Sequence, residues 1–363
     1  MIRHLLDDCD VHWINTIGTR SPRLNWGTLS RAYGKLRDWT QRKKESPQPQ
    51  RSPRVLNPAM WPGFRAPWQR NLNRRLIAGF LKKQIPRLSE ATLLTTVPIV
   101  ADALDSISVQ RSVYYCVDDF SAWPGLDSAP LRELERDLVG NVDCIVAAGE
   151  NLAERMRQMR RSDVSVLTHG LDLAHWTQSC QPDALLRDVE RPIALFWGLV
   201  DRRLDIQWLQ ALGRSMTSGT IVLVGPEQDP DPALANVPRL RRLGAVPYDR
   251  LPAIAAGADV LIMPYADSPV TRAMQPLKLK EYLATGKPVV ARRLPAVKDW
   301  EDCLDTAATA EEFCTAFKQC VSDSNRTSQQ SARQRLSNES WTRKAEELRG
   351  ILFGDSLAHG EQG

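Results

Sequence analysis

The chain has 363 residues, of which 42% are hydrophobic and 25% charged, and its formal net charge is +5. A chain of this length is too long to form a single ordinary hydrophobic core and fits two domains of usual size. The composition indicates a folded, soluble protein. No apolar run approaches the ~20 residues that a membrane-spanning helix needs.

The N-terminal residues and the cysteines indicate the cellular compartment of the protein. Charges occur too early within Met1–Asp8 for a secretory signal. Seven cysteines without Cys-x-x-Cys spacing favour a reducing compartment and argue against a zinc site. We therefore expect a cytoplasmic protein without a zinc site. We separately expect no other metal and no cofactor.

The positive charge is concentrated in residues 20–87. This stretch holds 17 Lys/Arg and two acidic residues, and it carries four of the tryptophans, Trp26, Trp39, Trp61 and Trp68. A basic surface with interleaved tryptophans fits an anionic membrane surface. A nucleic acid would also suit this surface, and a merely solubilising arginine-rich face is an equally open interpretation.

Alternating strand and helix patterns run through the first half of the chain. The predicted strands are Val11–Thr16, Leu93–Val97, Val113–Cys116, Asp143–Ala147 and Ser165–Leu167. The predicted helices are Leu29–Arg42, Asn71–Gln84, Ala129–Val139 and Glu150–Arg160. The proline-dotted stretch Pro47–Pro67 is predicted to be an irregular surface loop.

The same alternation continues in the second half. The predicted strands are Ile193–Trp197, Thr220–Val224, Leu240–Leu243, Val260–Met263 and Pro288–Ala291. The predicted helices are Ile206–Ser215, Leu251–Ala256, Leu277–Thr285, Ala310–Asp323 and Glu339–Leu352. Two mainly parallel sheets flanked by helices follow, with substrate expected at the carboxyl ends of the strands.

Lys278 and Glu281 are the most informative pair of residues. They stand three apart at the start of a predicted helix, in the run PLKLKEYLATGKPVV from Pro276 to Val290. Residues with this spacing share a helix face, and a helix N-terminus attracts phosphate. Lys278 would add charge there, and Glu281 could accept hydrogen bonds from a sugar diol. The alternative is a solvated salt-bridge pair.

This run resembles the donor-sugar segment of GT-B glycosyltransferases of the retaining, glycogen-synthase-like group (glycosyltransferase family four), in a bacterial branch that makes surface polysaccharides. Four further segments resemble the same family in the same order, namely YYCVDDF at Tyr114–Phe120, VLTHGLD at Val166–Asp172, ALFWGLVDRRLD at Ala194–Asp205 and IVLVGP at Ile221–Pro226.

The resemblance implies a fold of two Rossmann-like domains facing across a cleft. Residues 1–172 would bind the acceptor, and this part is expected to lack the family's first strand. Residues 173–337 would bind the nucleotide sugar. Residues 338–363 would form a helix that returns to the first domain, followed by a frayed tail.

The resemblance also implies a donor site. Lys278 would face the diphosphate together with Arg203 or its neighbour Arg202, and Glu281 would bind the ribose hydroxyls. Gly198 would let backbone approach a phosphate closely, and the backbone around Met274 and Leu277 would supply N–H groups. Gly225 and Tyr265 would help to frame the base.

Two features concern the acceptor and the sugar. Asp118 and Asp119 follow a predicted strand and could orient or deprotonate an acceptor hydroxyl, or else cap a helix or form a structural ion pair. The family's first glutamate is replaced by Ala273, eight positions before Glu281. The identity of the transferred sugar is therefore not predicted.

The sequence therefore predicts a metal-independent, retaining hexosyltransferase that uses a nucleotide diphosphate sugar. Its acceptor would be a glycan or lipid-linked sugar of surface polysaccharide biosynthesis, reached at the inner face of the membrane. The alternatives are a catalytically weakened paralogue that binds sugar nucleotides or membranes, and a sugar-nucleotide epimerase. A nucleic-acid binder is a more distant alternative.

Overall fold

The computed structural model describes residues 1–17, 52–122, 126–160, 163–275, 277–323 and 327–354. The predicted helix Leu29–Arg42 lies outside these ranges. The chain divides into two compact units, of which the first comprises Met1–Leu167 with Ala345–Gly363 and the second comprises Thr168–Lys344. Each unit has its own hydrophobic core around a parallel sheet.

Over its described residues, the first unit contains two parallel sheets. Its strands are β1 (His12–Ile14), β2 (Arg54–Leu56), β3 (Thr92–Thr95), β4 (Arg111–Cys116), β5 (Cys144–Ala147) and β6 (Val164–Val166). β3 to β6 pair in chain order, and β1 pairs with β2. The helices are α1 (Pro67–Gln84), α2 (Ala101–Leu104), α3 (Ser128–Asn141) and α4 (Glu150–Met159). In the described residues, no helix has the length and apolarity needed to cross a membrane.

One element corrects the sequence analysis. The stretch Pro47–Pro67 was predicted to be irregular, but β2 lies within it. Its residues pair with β1 in parallel register, and Leu56 is buried. The prediction failed there because surrounding prolines hide a three-residue strand whose partner is some forty positions earlier in the chain.

In the part of the chain that the structure describes, the second unit contains six parallel strands. They are β7 (Ile193–Trp197), β8 (Thr220–Val224), β9 (Leu240–Gly244), β10 (Val260–Met263), β11 (Val289–Arg292) and β12 (Asp305–Ala307). The helices are α5 (Leu173–Thr177), α6 (Ile206–Ser215), α7 (Leu251–Gly257), α8 (Pro269–Ala273), α9 (Leu277–Ala284), α10 (Ala310–Ser322) and α11 (Thr327–Ala332). Every predicted strand of this half is present, and β12 is an addition.

The C-terminal helix α12 (Trp341–Phe353) begins in the second unit and ends in the first. Its apolar residues Ala345, Leu348 and Leu352 are buried in the core of the first unit. The predicted return of this helix to the first domain is thereby confirmed.

The strand order of the second unit determines where a ligand can bind. The order β12-β11-β10-β7-β8-β9 places β7 between β8 and β10. The chain moves outward in one direction from β7 to β9 and in the other from β10 to β12. Ligands of open parallel sheets bind at the carboxyl ends of the strands where this direction reverses. In this unit, that point lies between the ends of β7 and β10.

A buried ion pair ties α9 to the residues just before α12. The Lys280 ammonium contacts the Glu339 carboxylate, and it donates to Thr168 Oγ1 at 3.0 Å and to the His169 carbonyl at 2.5 Å. Burial alone would raise the pKa of Glu339, but the hydrogen bond from Lys280 and the charges of Lys280 and Lys344 hold it below its usual value. Glu339 is therefore the counter-charge of two buried lysines.

We expect Glu339→Gln to lower the free energy of unfolding by about 2–3 kcal/mol, because it removes the carboxylate that pairs with the buried Lys280 and Lys344. Chemical denaturation at neutral pH measures this loss. The difference from the unchanged protein should shrink as the pH falls through the lowered pKa of Glu339, since the native carboxylate is then protonated as well. The matched control is Glu227→Gln, which breaks the more exposed pair with Arg242 and should cost less than about 1 kcal/mol. Equal losses in the two variants would contradict the account.

Candidate functional site

Two glycines form the loops after the neighbouring strands β7 and β8. Gly198 has a φ of +143° and Gly225 a φ of +145°, which side-chain-bearing residues rarely adopt. A Cβ on Gly225 would lie 1.8 Å from the carbonyl oxygen of Gly198. The two loops can therefore lie this close only because residue 225 lacks a side chain.

Lys278 lies against the first of these loops. A Cβ on Gly198 would be 2.0 Å from the Lys278 ammonium nitrogen. That nitrogen donates a hydrogen bond of 2.6 Å to the Tyr265 hydroxyl and lies 4.7 Å from the centre of the Phe196 ring. One of its three N–H groups is thus used by Tyr265. The first turn of α9 consequently carries a positive charge at the end of β7, where the strand order reverses.

The loop after β10 is held in place by an arginine that the sequence analysis did not single out. Arg292, at the end of β11, donates to the Tyr265 carbonyl at 3.1 Å and to Asp205 at 2.6 Å. Its guanidinium also lies 4.2 Å from the centre of the Trp208 ring. These contacts fix the backbone of Tyr265, whose hydroxyl in turn positions Lys278.

Glu281 follows Lys278 by one helical turn and sits among aromatic side chains. Its Oε2 accepts a hydrogen bond from the Trp197 indole at 3.3 Å, and its Oε1 accepts one from the Tyr248 hydroxyl at 3.4 Å. Burial raises the pKa of Glu281, although the hydrogen bond from Trp197, the charge of Lys278 and the bond from Tyr248 each act to lower it. The carboxylate is thus partly desolvated and held from two sides.

The predicted arginines take different positions. Arg203 is mostly buried, binds the Asp201 carboxylate and points one terminal nitrogen at the Met274 sulfur, 3.5 Å away. Arg202 is exposed and binds Asp229 at 2.9 Å. Arg203 therefore lies beside the segment that leads into α9, whereas Asp229, which pairs with Arg202, lies beyond β8.

The segment between α8 and α9 contains the remaining predicted donor residues. Met274 is buried, whereas Leu277, the first residue of α9, is 43% exposed. Pro276 lies outside the described residues. Ala273, which stands where the family has a glutamate, is the last residue of α8. This segment is where a ligand could meet backbone close to Lys278.

Asp118 and Asp119 belong to the first unit and follow β4. Asp119 Oδ1 accepts hydrogen bonds from the Ser121 backbone at 3.0 Å and from its hydroxyl at 2.7 Å, and Arg155 lies 3.7 Å away. Asp118 Oδ1 accepts from the Asp119 backbone at 3.1 Å. The geometry gives Asp119 a capping contact of the kind weighed in the sequence analysis. Over the described ranges, no three His, Cys, Asp or Glu residues are grouped to hold a metal ion.

Sequence reasoning missed the aromatic surroundings of Glu281. Trp197 directly precedes Gly198, so its place at the end of a buried strand was visible in the sequence. Tyr248 and Trp176 gave no such signal, because 33 residues separate Tyr248 from Glu281 and their contact depends on the tertiary fold. Trp176 stacks on Trp197 with ring centres 5.2 Å apart and planes at 8°.

Part of the chain is similar to known glycosyltransferases. Residues 191–323, which include Gly198, Lys278 and Glu281, match the family model described as "Glycosyl transferases group 1". A 180-residue region is 28% identical to the "Putative teichuronic acid biosynthesis glycosyltransferase TuaH" of Bacillus subtilis (strain 168). That region covers 47% of this chain and 44% of the relative, so the chain spans under half the length of this relative. The glycosyltransferase resemblance predicted from the sequence is confirmed at this general level.

Solved structures show the fold over nearly the whole chain. A sucrose-phosphate synthase from Thermosynechococcus elongatus has a TM-score of 0.65 at 16% identity, covering 94% of this chain and 97% of that one. Anabaena Alr3699/HepE, solved in complex with UDP, has a TM-score of 0.64 at 14% identity, covering 95% and 99%. The fold is therefore the predicted GT-B α/β class with two Rossmann-like domains.

The packing of the two glycine loops generates a prediction. We expect Gly198→Ala and Gly225→Ala each to lower the free energy of unfolding by at least ~1–3 kcal/mol, because both place a side chain at a strained positive φ. The added methyl would also meet Lys278 in the first variant and backbone in the second. Chemical denaturation measures both losses.

Gly79→Ala is the matched control. Gly79 lies within α1 and an added Cβ meets nothing within 4 Å, so alanine should be neutral or stabilising by up to about 1 kcal/mol. Unchanged stability in both loop variants would show that the loops have more room than the structure gives them.

Proposed function

We propose that the chain is a retaining, metal-independent glycosyltransferase that moves a hexose from a nucleotide diphosphate sugar to a glycan or lipid-linked acceptor. The observation that carries the proposal is the placement of Lys278 and Glu281 on one face of α9, beside the Gly198 loop. A lysine and a carboxylate one turn apart at such a point match the two ends of a nucleoside diphosphate.

The diphosphate end is assigned to the first turn of α9. Helix N-termini attract phosphate through their unpaired N–H groups and dipole. Lys278 adds a full charge there, and Arg203 lies near the same segment through its contact with Met274. When the bond between sugar and diphosphate breaks, negative charge develops on the leaving group, and fixed cations stabilise it. Lys278 would supply that stabilisation.

The ribose end is assigned to Glu281. An ionised carboxylate accepts hydrogen bonds from a pair of hydroxyl groups. Gly225 and Tyr265, at the ends of β8 and β10, would border the base. The Anabaena relative in the fold comparison was solved with UDP, which supports a nucleoside diphosphate as the ligand class.

The acceptor is assigned to the first unit. Asp119 Oδ1 already accepts two hydrogen bonds from Ser121, which favours a capping role for it. Asp118, which stands beside Asp119 after β4, is the residue proposed to orient or deprotonate an acceptor hydroxyl. The Bacillus relative is named for teichuronic acid biosynthesis, and this supports a surface polysaccharide as the acceptor class.

The proposal predicts ligand-dependent thermal stability. A nucleotide sugar that binds only the folded chain, at about 100 times its dissociation constant, should add ~2.7 kcal/mol. We expect one of UDP-, GDP- or ADP-glucose to raise the melting temperature, and Lys278→Met and Glu281→Gln each to reduce the increase. Lys298→Met and Glu301→Gln, which change exposed residues, are the matched controls.

The raised pKa of Glu281 adds a pH signature to this experiment. Affinity for the nucleotide should fall as the pH drops through that pKa, because a protonated carboxyl accepts fewer hydrogen bonds. The free protein behaves in the opposite sense, since a buried carboxylate with a raised pKa destabilises the fold once it ionises. Glu281→Gln should therefore remove the pH dependence of binding.

The proposal would be overturned if no nucleotide sugar changed the melting temperature. Turnover of the donor without an acceptor would favour an epimerase. Binding of the donor without turnover would favour a catalytically weakened paralogue.

We also propose that the first unit docks on an anionic membrane through α1. The helix contains no acidic residue, and its exposed side chains include Trp68, Arg75, Leu76, Lys82 and Lys83. At helical spacing these five fall on one face. A second exposed tryptophan, Trp61, lies beside Trp68 with ring centres 5.3 Å apart. Trp26 and Trp39 of the predicted basic stretch lie outside the described residues.

This surface predicts lipid binding that depends on charge. Each Lys or Arg near anionic headgroups contributes about 1 kcal/mol. The triple variant Arg75→Gln, Lys82→Gln, Lys83→Gln should therefore bind vesicles containing phosphatidylglycerol about a hundredfold more weakly, as measured by co-sedimentation.

A triple variant of exposed cations in the second unit is the matched control, namely Arg241→Gln, Arg293→Gln and Lys318→Gln. It should bind the same vesicles normally. Equal weakening in the two triple variants, or equal binding of the unchanged protein to neutral phosphatidylcholine vesicles, would contradict docking through α1.

A further inference from the structure

The Glu281 carboxylate is held by a continuous set of hydrogen bonds between aromatic side chains. The Trp176 indole donates to the Tyr248 hydroxyl at 3.1 Å, and that hydroxyl donates to Glu281 Oε1 at 3.4 Å. The Trp197 indole donates to Oε2 at 3.3 Å. Since an indole N–H can only donate, Trp176 orients the Tyr248 hydroxyl so that its proton points to the carboxylate.

Ring stacking fixes the positions of these donors. Trp176 stacks on Trp197, and Tyr248 stacks on His175 with ring centres 4.5 Å apart and planes at 8°. Trp197 also contacts Tyr282, 4.0 Å away between ring centres, and the Tyr282 hydroxyl accepts from the Trp197 backbone N–H. The two groups that donate to Glu281 are thus both part of a cluster of contacting aromatic rings.

The arrangement leaves acceptor capacity for a ligand on both oxygens. An ionised carboxylate has about four lone-pair sites, and the aromatic donors take one on each oxygen. Both bonds are long, so they direct the carboxylate more than they saturate it. One further site on each oxygen matches two neighbouring hydroxyl groups, which is the pattern that a ribose 2′,3′-diol presents.

We propose that Trp197 and Tyr248 are positioning residues that fix the Glu281 carboxylate for two-point recognition of a ribose diol. The inference deepens the proposed function and rests on it. Neither side chain needs to touch the nucleotide. Tyr248 also offers a safe variant, because the residue is 51% exposed and loses only its hydroxyl on substitution by phenylalanine.

The test compares a nucleotide with and without the diol. Calorimetric titration would measure the affinity of the purified chain for UDP or GDP, whichever binds, and for its 2′,3′-dideoxy analogue. We expect Tyr248→Phe and Trp197→Phe each to weaken binding of the ribonucleotide about three- to tenfold and to leave the dideoxy affinity unchanged. Neither change should weaken binding further once Glu281→Gln is present.

Trp300→Phe is the matched control for the buried tryptophan. Trp300 is 8% exposed and Trp197 is 3% exposed, so the two variants lose comparable packing. Trp300→Phe should leave the ratio of the two affinities unchanged. If Trp197→Phe proves unstable, Tyr248→Phe carries the test alone.

The outcomes separate this inference from the proposed function. Equal weakening for both nucleotides, no weakening, or further weakening in the Glu281→Gln background would overturn the positioning role, while the proposed function would stand on nucleotide binding itself. Equal affinity of the unchanged protein for the two nucleotides would also overturn it. Binding of no nucleoside diphosphate would overturn the proposed function, and this inference with it.

Discussion

The contact between Lys278 and the backbone of Gly198 is the constraint on which the candidate site depends. The ammonium occupies space that a side chain at residue 198 would fill, and Gly225 packs behind Gly198 under the same restriction. This packing brings the ends of β7 and β8 and the first turn of α9 together. Arg292 fixes the backbone of Tyr265 in the loop after β10, and the Tyr265 hydroxyl contacts Lys278 from that side. A charge placed this way needs no rearrangement to meet a phosphate.

Glu281 shows that the same helix turn is not optimised for stability. Burial raises its pKa, so keeping it ionised near neutral pH costs free energy in the empty protein. Trp197 and Tyr248 offset part of that cost through their hydrogen bonds. Lys280 lies between Lys278 and Glu281 in the same helix and stabilises the fold, because Glu339 supplies its counter-charge. Adjacent positions of one helix therefore separate into a face that belongs to the candidate site and a face that stabilises the fold.

The fold of the second unit could be predicted closely from the sequence. β7, β8 and β10 are continuous buried apolar runs, and such runs between turn residues are typical of parallel sheets. The helical spacing of Lys278 and Glu281 placed both on one face before any tertiary contact was known. The partners of Glu281 could not be predicted in this way, because Tyr248 reaches it only through the fold. β2 was missed for a related reason, since three residues acquire strand character only by pairing with β1.

A crystal structure of the chain with UDP or GDP tests the central claim most directly. The account predicts that the diphosphate lies within hydrogen-bond distance of the Lys278 ammonium and of backbone at the start of α9. It also predicts that the two ribose hydroxyls contact the two oxygens of Glu281. A nucleotide bound elsewhere in the second unit, or one whose ribose faces Lys278 and whose phosphates lie away from α9, would contradict the assignment.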